Sequence, residues 1–408
     1  MRRRTSAIGA TIFVALFFTP VVADDSETLQ DLRAQLREME RKLEALEERA
    51  DEQDARQETI AQEVATETRA LQKAMRTVPG YGQARVRADC VGDDAGSDGT
   101  EFVSNASRIG IRGELGSSLP GTSIIYKTEL RYETTDEVDG VDSRDVEFRE
   151  GYGGLKGTWG VFRMGRLAVG YKKSGTKIEP WTDNAPQARA GGRQGMSELH
   201  SAYVNNTVDY ESPVFGGGFT ANAWYSTRFD DSEKRPFNSS ATRLFQGGTA
   251  GGFGLKYASG PVFLAADWQE INADSVDLDG DGRGDIDADI GGRGVRNGDS
   301  WQAVARYTFS PSISFAALYE DAEDIGLGKH LYLNSIYTMG RTRLIAAYGR
   351  TEDRRANGNF DWVNWSVGAK HMVTGNSEIF AAWNRRRNDS LNLDTDTFTV
   401  GTNIKFGY

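Results

Sequence analysis

The chain has 408 residues, 48 of them basic and 59 acidic, for a formal charge of −11. Its single cysteine excludes an internal disulfide framework, a Cys-rich zinc module or an iron–sulfur cluster, and an acidic balance without long Lys/Arg blocks argues against a nucleic-acid partner. A helical membrane protein is excluded because the one long apolar run lies at the extreme N-terminus, whereas a β-barrel, whose strands alternate apolar and polar residues, is compatible with a mean hydropathy of −0.53.

Residues 1–23 have the three parts of a secretory signal: a basic start at Arg2, Arg3 and Arg4, an apolar segment from Ile8 to Phe18, and small residues at Val21-Val22-Ala23. An abruptly acidic sequence begins at Asp24. From there to Val78 the chain carries no Gly, no Pro and no aromatic residue. Seam positions recur at alternating intervals of three and four, filled by Leu29, Leu32, Leu36, Met39, Leu43, Leu46, Ile60, Val64 and Leu71, with Ala50 and the polar Gln53, Gln57 and Glu67 at the positions between. A 3.5-residue repeat held that long predicts a left-handed coiled coil over 24–78, because an isolated helix would leave its leucine seam wet. Pro79-Gly80 ends the helix.

After Gly80 the composition changes. All but one of the 47 glycines lie from there onward, and Phe13, Phe17 and Phe18 are the only aromatics before it. Runs of about ten residues alternate apolar with polar and are separated by turn residues. In 123–133, Ile124, Tyr126, Leu130 and Tyr132 share one face, while Lys127, Glu129, Arg131 and Glu133 share the other. A soluble sandwich would bury its apolar face against a second sheet. Charges on the second face of strand after strand suit lipid outside and water inside. Sixteen such runs are predicted, with short turns alternating with longer polar loops, over a domain spanning 79–408. Outer-membrane barrels have short periplasmic turns and long external loops, and that rule puts both chain ends, and hence the coiled coil, in the periplasm. One run resists the pattern. In 159–166, Phe162 and Met164 share a face with Arg166, while Val161 shares one with Arg163, and only a bulge would reconcile them.

Residues 80–408 resemble the Gram-negative general porins, which are trimeric sixteen-stranded diffusion channels. The resemblance rests on Ser107-Arg108-Ile109-Gly110-Ile111-Arg112-Gly113, on Gly151-Tyr152-Gly153-Gly154-Leu155-Lys156-Gly157 running into Gly165-Arg166, on Asn205-Asn206-Thr207-Val208-Asp209-Tyr210-Glu211-Ser212-Pro213, and on Ile404, Phe406 and the terminal Tyr408 at alternate positions. It implies a homotrimer in outer-membrane lipid and passive diffusion of small hydrophilic solutes and ions, with no enzymatic activity. It also implies a third loop, 167–200, folded into the lumen and opposed by wall arginines. Arg108, Arg131, Arg149 and Arg166 are the wall candidates, and Lys172, Lys173, Lys177, Glu179 and Asp183 are the loop candidates. The Pro-Glu-Phe-Gly-Gly tract of enteric relatives is absent from this loop. Fixed charges across a water-filled neck bias which ions enter. The loop has a basic excess and other loops are acidic, so the sequence leaves net selectivity open. An N-terminal coiled coil resembles the layout of dicarboxylate-type porins, which keeps selective uptake of small organic anions as an alternative.

Two further readings need weighing. Asp277, Asp279, Asp281 and Asp285 follow the spacing of a calcium loop, but the twelfth position is Ala288, so no bidentate carboxylate closes it. A solvated acidic loop is the expected reading, weak calcium binding the alternative, and no other cofactor is implied. The second competing class is a structural tether, in which the coiled coil reaches peptidoglycan or another periplasmic partner and the barrel serves as an anchor.

Overall fold

The computed structural model describes residues 26–77, 80–94, 98–134, 146–229, 245–276, 286–287, 296–354 and 360–407. It divides into two units, residues 1–78 and 79–408. In the first, a single helix, α1, runs from Ser26 to Thr77. Of the predicted seam, Met39, Leu43, Leu46 and Ile60 are exposed on it, and the side chains of Leu29, Leu32, Leu36, Val64 and Leu71 lie outside the described part, as do the signal segment 1–23 and the aspartates 277–285.

The second unit is a closed antiparallel barrel of sixteen strands. In chain order these are β1 (Gly80–Asp93), β2 (Gly99–Ser104 continued by Ser107–Gly116), β3 (Thr122–Tyr132), β4 (Glu147–Gly157), β5 (Gly160–Leu167), β6 (Val204–Glu211), β7 (Phe219–Ser226) and β8 (Thr249–Ser259). There follow β9 (Val262–Asn272), β10 (Gly298–Ser310), β11 (Ile313–Ala322), β12 (Gly328–Met339), β13 (Thr342–Arg354), β14 (Phe360–Met372), β15 (Glu378–Asn388) and β16 (Leu393–Phe406). Each strand pairs with its neighbours, and β1 closes the ring on β16 from Gly82↔Phe406 to Asp93↔Thr395. No edge is left unpaired, as a lipid environment requires.

β2 starts earlier than the sequence pattern indicates. It pairs with β1 through both of its segments and breaks at Asn105-Ala106, where Ala106 adopts φ +57°. The break turns Asn105 into the lumen, where it takes part in the contacts described below.

The two faces of the barrel are inverted relative to a water-soluble protein. On β16, Phe398, Val400 and Ile404 are exposed, while the intervening Thr399 and Asn403 are buried at 0% and 1% exposure. The same holds around the ring, with Leu264, Leu333, Trp365 and Ile379 outside and Asp267, Asn334, Ser366 and Lys370 inside. An apolar exterior around a polar interior is stable only with hydrocarbon as the outer solvent. Aromatics form a belt at each rim. Trp301 packs on Tyr319 at 5.4 Å toward the long-loop end, and Tyr307 on Phe309 at 4.6 Å and Phe219 on Tyr257 at 4.8 Å toward the short-turn end. Leu333 sits halfway along β12 on the outer face. Leu333→Arg is expected to cost about 2–4 kcal/mol of barrel stability, measured as a shift in the urea unfolding midpoint in lipid vesicles.

Candidate pore constriction

The connection from Leu167 to Val204 does not leave the barrel. It opens with a short helix, α2 (Gly170–Thr176), and crosses the lumen in turns and two short 3₁₀ segments. The far wall holds it at several points. Glu320 on β11 accepts from the Tyr171 hydroxyl at 2.9 Å, from the Ser197 backbone N–H at 2.9 Å and from the Ser197 hydroxyl. Gln302 and Asn334 donate to the carbonyls of Tyr171 and Ile178 at 2.6 and 2.9 Å. Arg354 pairs with Glu198, both buried. Gly195, at φ +101°, lies against Gly349 of β13, and a Cβ at 349 would come within 2.0 Å of the Gln194 carbonyl oxygen. A side chain at either glycine would keep the loop off the wall.

From this anchored platform the loop aims Asp183 at the opposite wall. Its carboxylate meets four guanidiniums: Arg189 of the same loop at 2.6 Å, Arg85 of β1 at 2.8 Å, Arg108 of β2 at 3.5 Å and Arg149 of β4 at 3.8 Å. Burial, the largest single influence, pushes the Asp183 carboxyl up, but Arg149, Arg189, Arg85 and Arg108 together hold it well below the usual carboxylate range. A second carboxylate, Glu129 of β3, accepts from the Tyr81 hydroxyl at 2.7 Å and lies 3.1 Å from Arg149 and 3.7 Å from Arg108. Asn184 accepts from Asn105 at the break in β2.

Beside this cluster lies a cavity of about 280 Å³ lined by Arg87, Arg131, Arg149, Arg166, Lys172 and Arg189, with Asp183 as its one carboxylate among the described residues. Tyr203 accepts from Arg149 at 2.9 Å and carries the Lys172 ammonium over its ring at 3.4 Å. Burial, then the charges of Arg189 and Arg149, push Lys172 well down, making it the weakest cation of the set.

Two irregularities put these arginines in place. The register of β3 against β4 shifts between Glu129 and Leu130, so Arg149 is the extra residue and faces inward together with Glu150. The β5–β6 register shifts between Gly165 and Leu167, opposite Asn205-Asn206, and Asn206 has φ +47°. Arg163 and Arg166 both point inward as a result, on Asp209 at 2.6 Å and Asn205 at 2.7 Å, while Met164 is exposed. The extra residue lies on β6, and on β5 itself the reversal falls at Gly165, whose φ is +143°.

Of the residues singled out by sequence, Arg108, Arg149 and Asp183 meet at the cluster, and Arg131, Arg166 and Lys172 line the adjacent cavity. Lys177 and Glu179 line a different cavity of about 320 Å³, with Arg306 and Arg343. Glu179 is buried there and holds the loop backbone, accepting from the Trp181 N–H at 2.7 Å. Lys173 turns toward Asp209, Arg163 and Glu211. Arg85 and Arg87 are not singled out by the sequence, which places Glu129 only on the polar face of 123–133 and counts Arg189 only toward the basic excess of the loop. Arg85 and Arg87 stand at alternate positions of β1, a signal that alternation alone could have supplied.

Burial lowers the Lys173 ammonium to about 8. It is therefore mostly charged at pH 6 and mostly neutral at pH 9, and the lumen loses positive charge as pH rises across that interval. The ratio of anion to cation permeability is expected to fall on the order of twofold from pH 6 to 9, read as a reversal potential, and Lys173→Met should remove the step.

The model of the Gram-negative porin family matches residues 61–391. An outer membrane porin protein of Bordetella pertussis is 24% identical over 283 residues, covering 69% of this chain and 68% of the relative. The major outer membrane protein P.IB of Neisseria sicca is 30% identical over 131 residues, 32% of this chain and 34% of that protein. Among solved structures, a loop-deletion variant of OmpT from Vibrio cholerae superposes with a TM-score of 0.57 at 15% identity, over 81% of this chain and 99% of that one. A substituted Rh. blastica porin gives 0.54 at 14% identity, over 81% and 100%. These structural likenesses carry the fold.

Proposed function

The chain belongs to the Gram-negative porins and forms a passive diffusion channel in the outer membrane, and from that premise we propose that its neck favours small hydrophilic anions. The observation that carries the preference is the lining of the cavity beside the third loop, where among the described residues six basic side chains face the single carboxylate of Asp183, and where Asp89 and Glu133, paired with Arg87 and Arg131 at 2.7 and 2.6 Å, still leave the excess basic. Such an excess in a narrow, water-filled passage raises the local concentration of anions and lowers that of cations. Liposome swelling tests it: anionic sugars are expected to enter faster than neutral or cationic sugars of the same size. Equal rates, or faster cationic sugars, would sink the preference.

The unit of assembly is a homotrimer with α1 as a periplasmic coiled coil. The exposed Met39, Leu43, Leu46 and Ile60 at heptad spacing support this, since an apolar seam stays out of water only against other copies. The start of β1 at the short-turn rim supports the periplasmic side. Conductance is expected to appear in three equal steps per insertion, and deletion of 26–77 should weaken the trimer in detergent while each barrel stays folded.

A further inference from the structure

We propose that the guanidinium cluster filled by Asp183 is an oxyanion-binding site, and that this loop carboxylate is its resident competitor, displaced from Arg108 and Arg149 by each permeating oxyanion. The inference rests on the anion-preferring reading of the neck and adds a site and a mechanism to it.

The contacts of Asp183 are graded. Arg189 belongs to the same loop and also donates to the His200 carbonyl at 2.9 Å, so it moves with the carboxylate. Of the strand-wall contacts, Arg85 holds the carboxylate at 2.8 Å, whereas those to Arg108 and Arg149 are long, 3.5 and 3.8 Å, and are the first to yield. Asp183 also has φ +61°, an uncommon conformation for a residue with a side chain. Its N–H bonds Gln187 Oε1 at 3.1 Å, so the backbone stays held by the loop when the carboxylate lets go.

The neighbouring cavity supplies the entry. Arg149 and Asp183 both line it, so an arriving anion reaches Arg149 from the open side while Asp183 holds the other. A carboxylate, sulfate or phosphate offers the paired oxygens that guanidiniums take in parallel hydrogen bonds, whereas chloride offers one centre. Oxyanions therefore replace Asp183 and chloride does not. A tethered carboxylate competes at an effective concentration of order millimolar, which keeps occupancy brief enough for flux.

The test is chloride current through single wild-type channels as sulfate is added at constant ionic strength, with acetate and phosphate as parallel arms. Wild type is expected to show half-maximal reduction of current at millimolar sulfate. In Asp183→Asn the competitor is gone and the half-maximal concentration should fall at least ~10-fold. Asp183→Glu restores a carboxylate and should stay near wild type, which separates competition from misfolding. Glu114→Gln, which removes an exposed carboxylate paired with Lys156 at 2.8 Å, should match wild type. The relative potency of acetate and phosphate tells whether carboxylates or phosphates are the better occupants. An anion-preferring channel whose half-maximal concentration is the same in wild type and Asp183→Asn overturns the competitor and leaves the neck reading standing. A cation-preferring wild type overturns both.

Discussion

Glu320→Ala is expected to release the third loop and raise single-channel conductance about twofold, with frequent current fluctuations, while the barrel stays folded. Glu320 is fully buried and takes three donors from the loop, the Tyr171 hydroxyl and the backbone N–H and hydroxyl of Ser197. Removing the carboxylate strands these donors, each at about 1–3 kcal/mol, so docking weakens by on the order of 5 kcal/mol. The strand pairings do not depend on that contact, since β11 keeps its full registers with β10 and β12. Single-channel recording checks the outcome, together with heat-modifiable mobility as a measure of the folded barrel. Glu320→Gln keeps one acceptor oxygen and should fall between wild type and alanine. Unchanged conductance in Glu320→Ala would place the flow-limiting step elsewhere in the lumen.

The second large effect concerns charge. In the double variant Arg108→Gln, Arg149→Gln, the wall loses two guanidiniums that face Asp183 and Glu129. A unit charge about 5 Å from a passing ion in water-like surroundings is worth about 0.8 kcal/mol, or roughly fourfold in local ion population. Two such charges multiply to roughly sixteenfold in the population of either ion, and because salt screens part of the product the anion-to-cation permeability ratio is predicted to fall by at least about tenfold. Glutamine keeps hydrogen-bonding capacity and much of the volume, so a change confined to conductance without a change in ratio would point to shape in place of charge.

The two placements differ in how far sequence could reach them. Alternation fixes which residues face lipid wherever a strand is regular, as in 123–133, where Lys127, Glu129 and Arg131 do point inward. It fails at irregularities: one extra residue reverses the phase at Arg149, and Arg166 turns inward after Gly165, at φ +143° and opposite the extra residue of β6. The conflict among Phe162, Arg163, Met164 and Arg166 was visible as a conflict, and its resolution needed the pairing partner. The loop is harder still. Asp183 and Arg189 are ordinary loop charges in sequence, and nothing local says that one will meet Arg85, nearly a hundred residues away. Glu320 looks like any acidic strand residue until Tyr171 and Ser197 arrive from across the barrel. Backbone irregularities such as the break at Ala106 leave no hydrophobic signature at all. In α1 the reverse holds, since the heptad spacing is complete in the sequence and a single chain supplies no partner for it.

The preference of the neck for anions is tested most directly by the reversal potential of single wild-type channels under a tenfold potassium chloride gradient at neutral pH. Six basic side chains against one carboxylate predict a sign set by chloride, and the double arginine variant should move it toward the value for potassium. A wild-type potential of the potassium sign, or no conductance from folded barrels, would contradict the account.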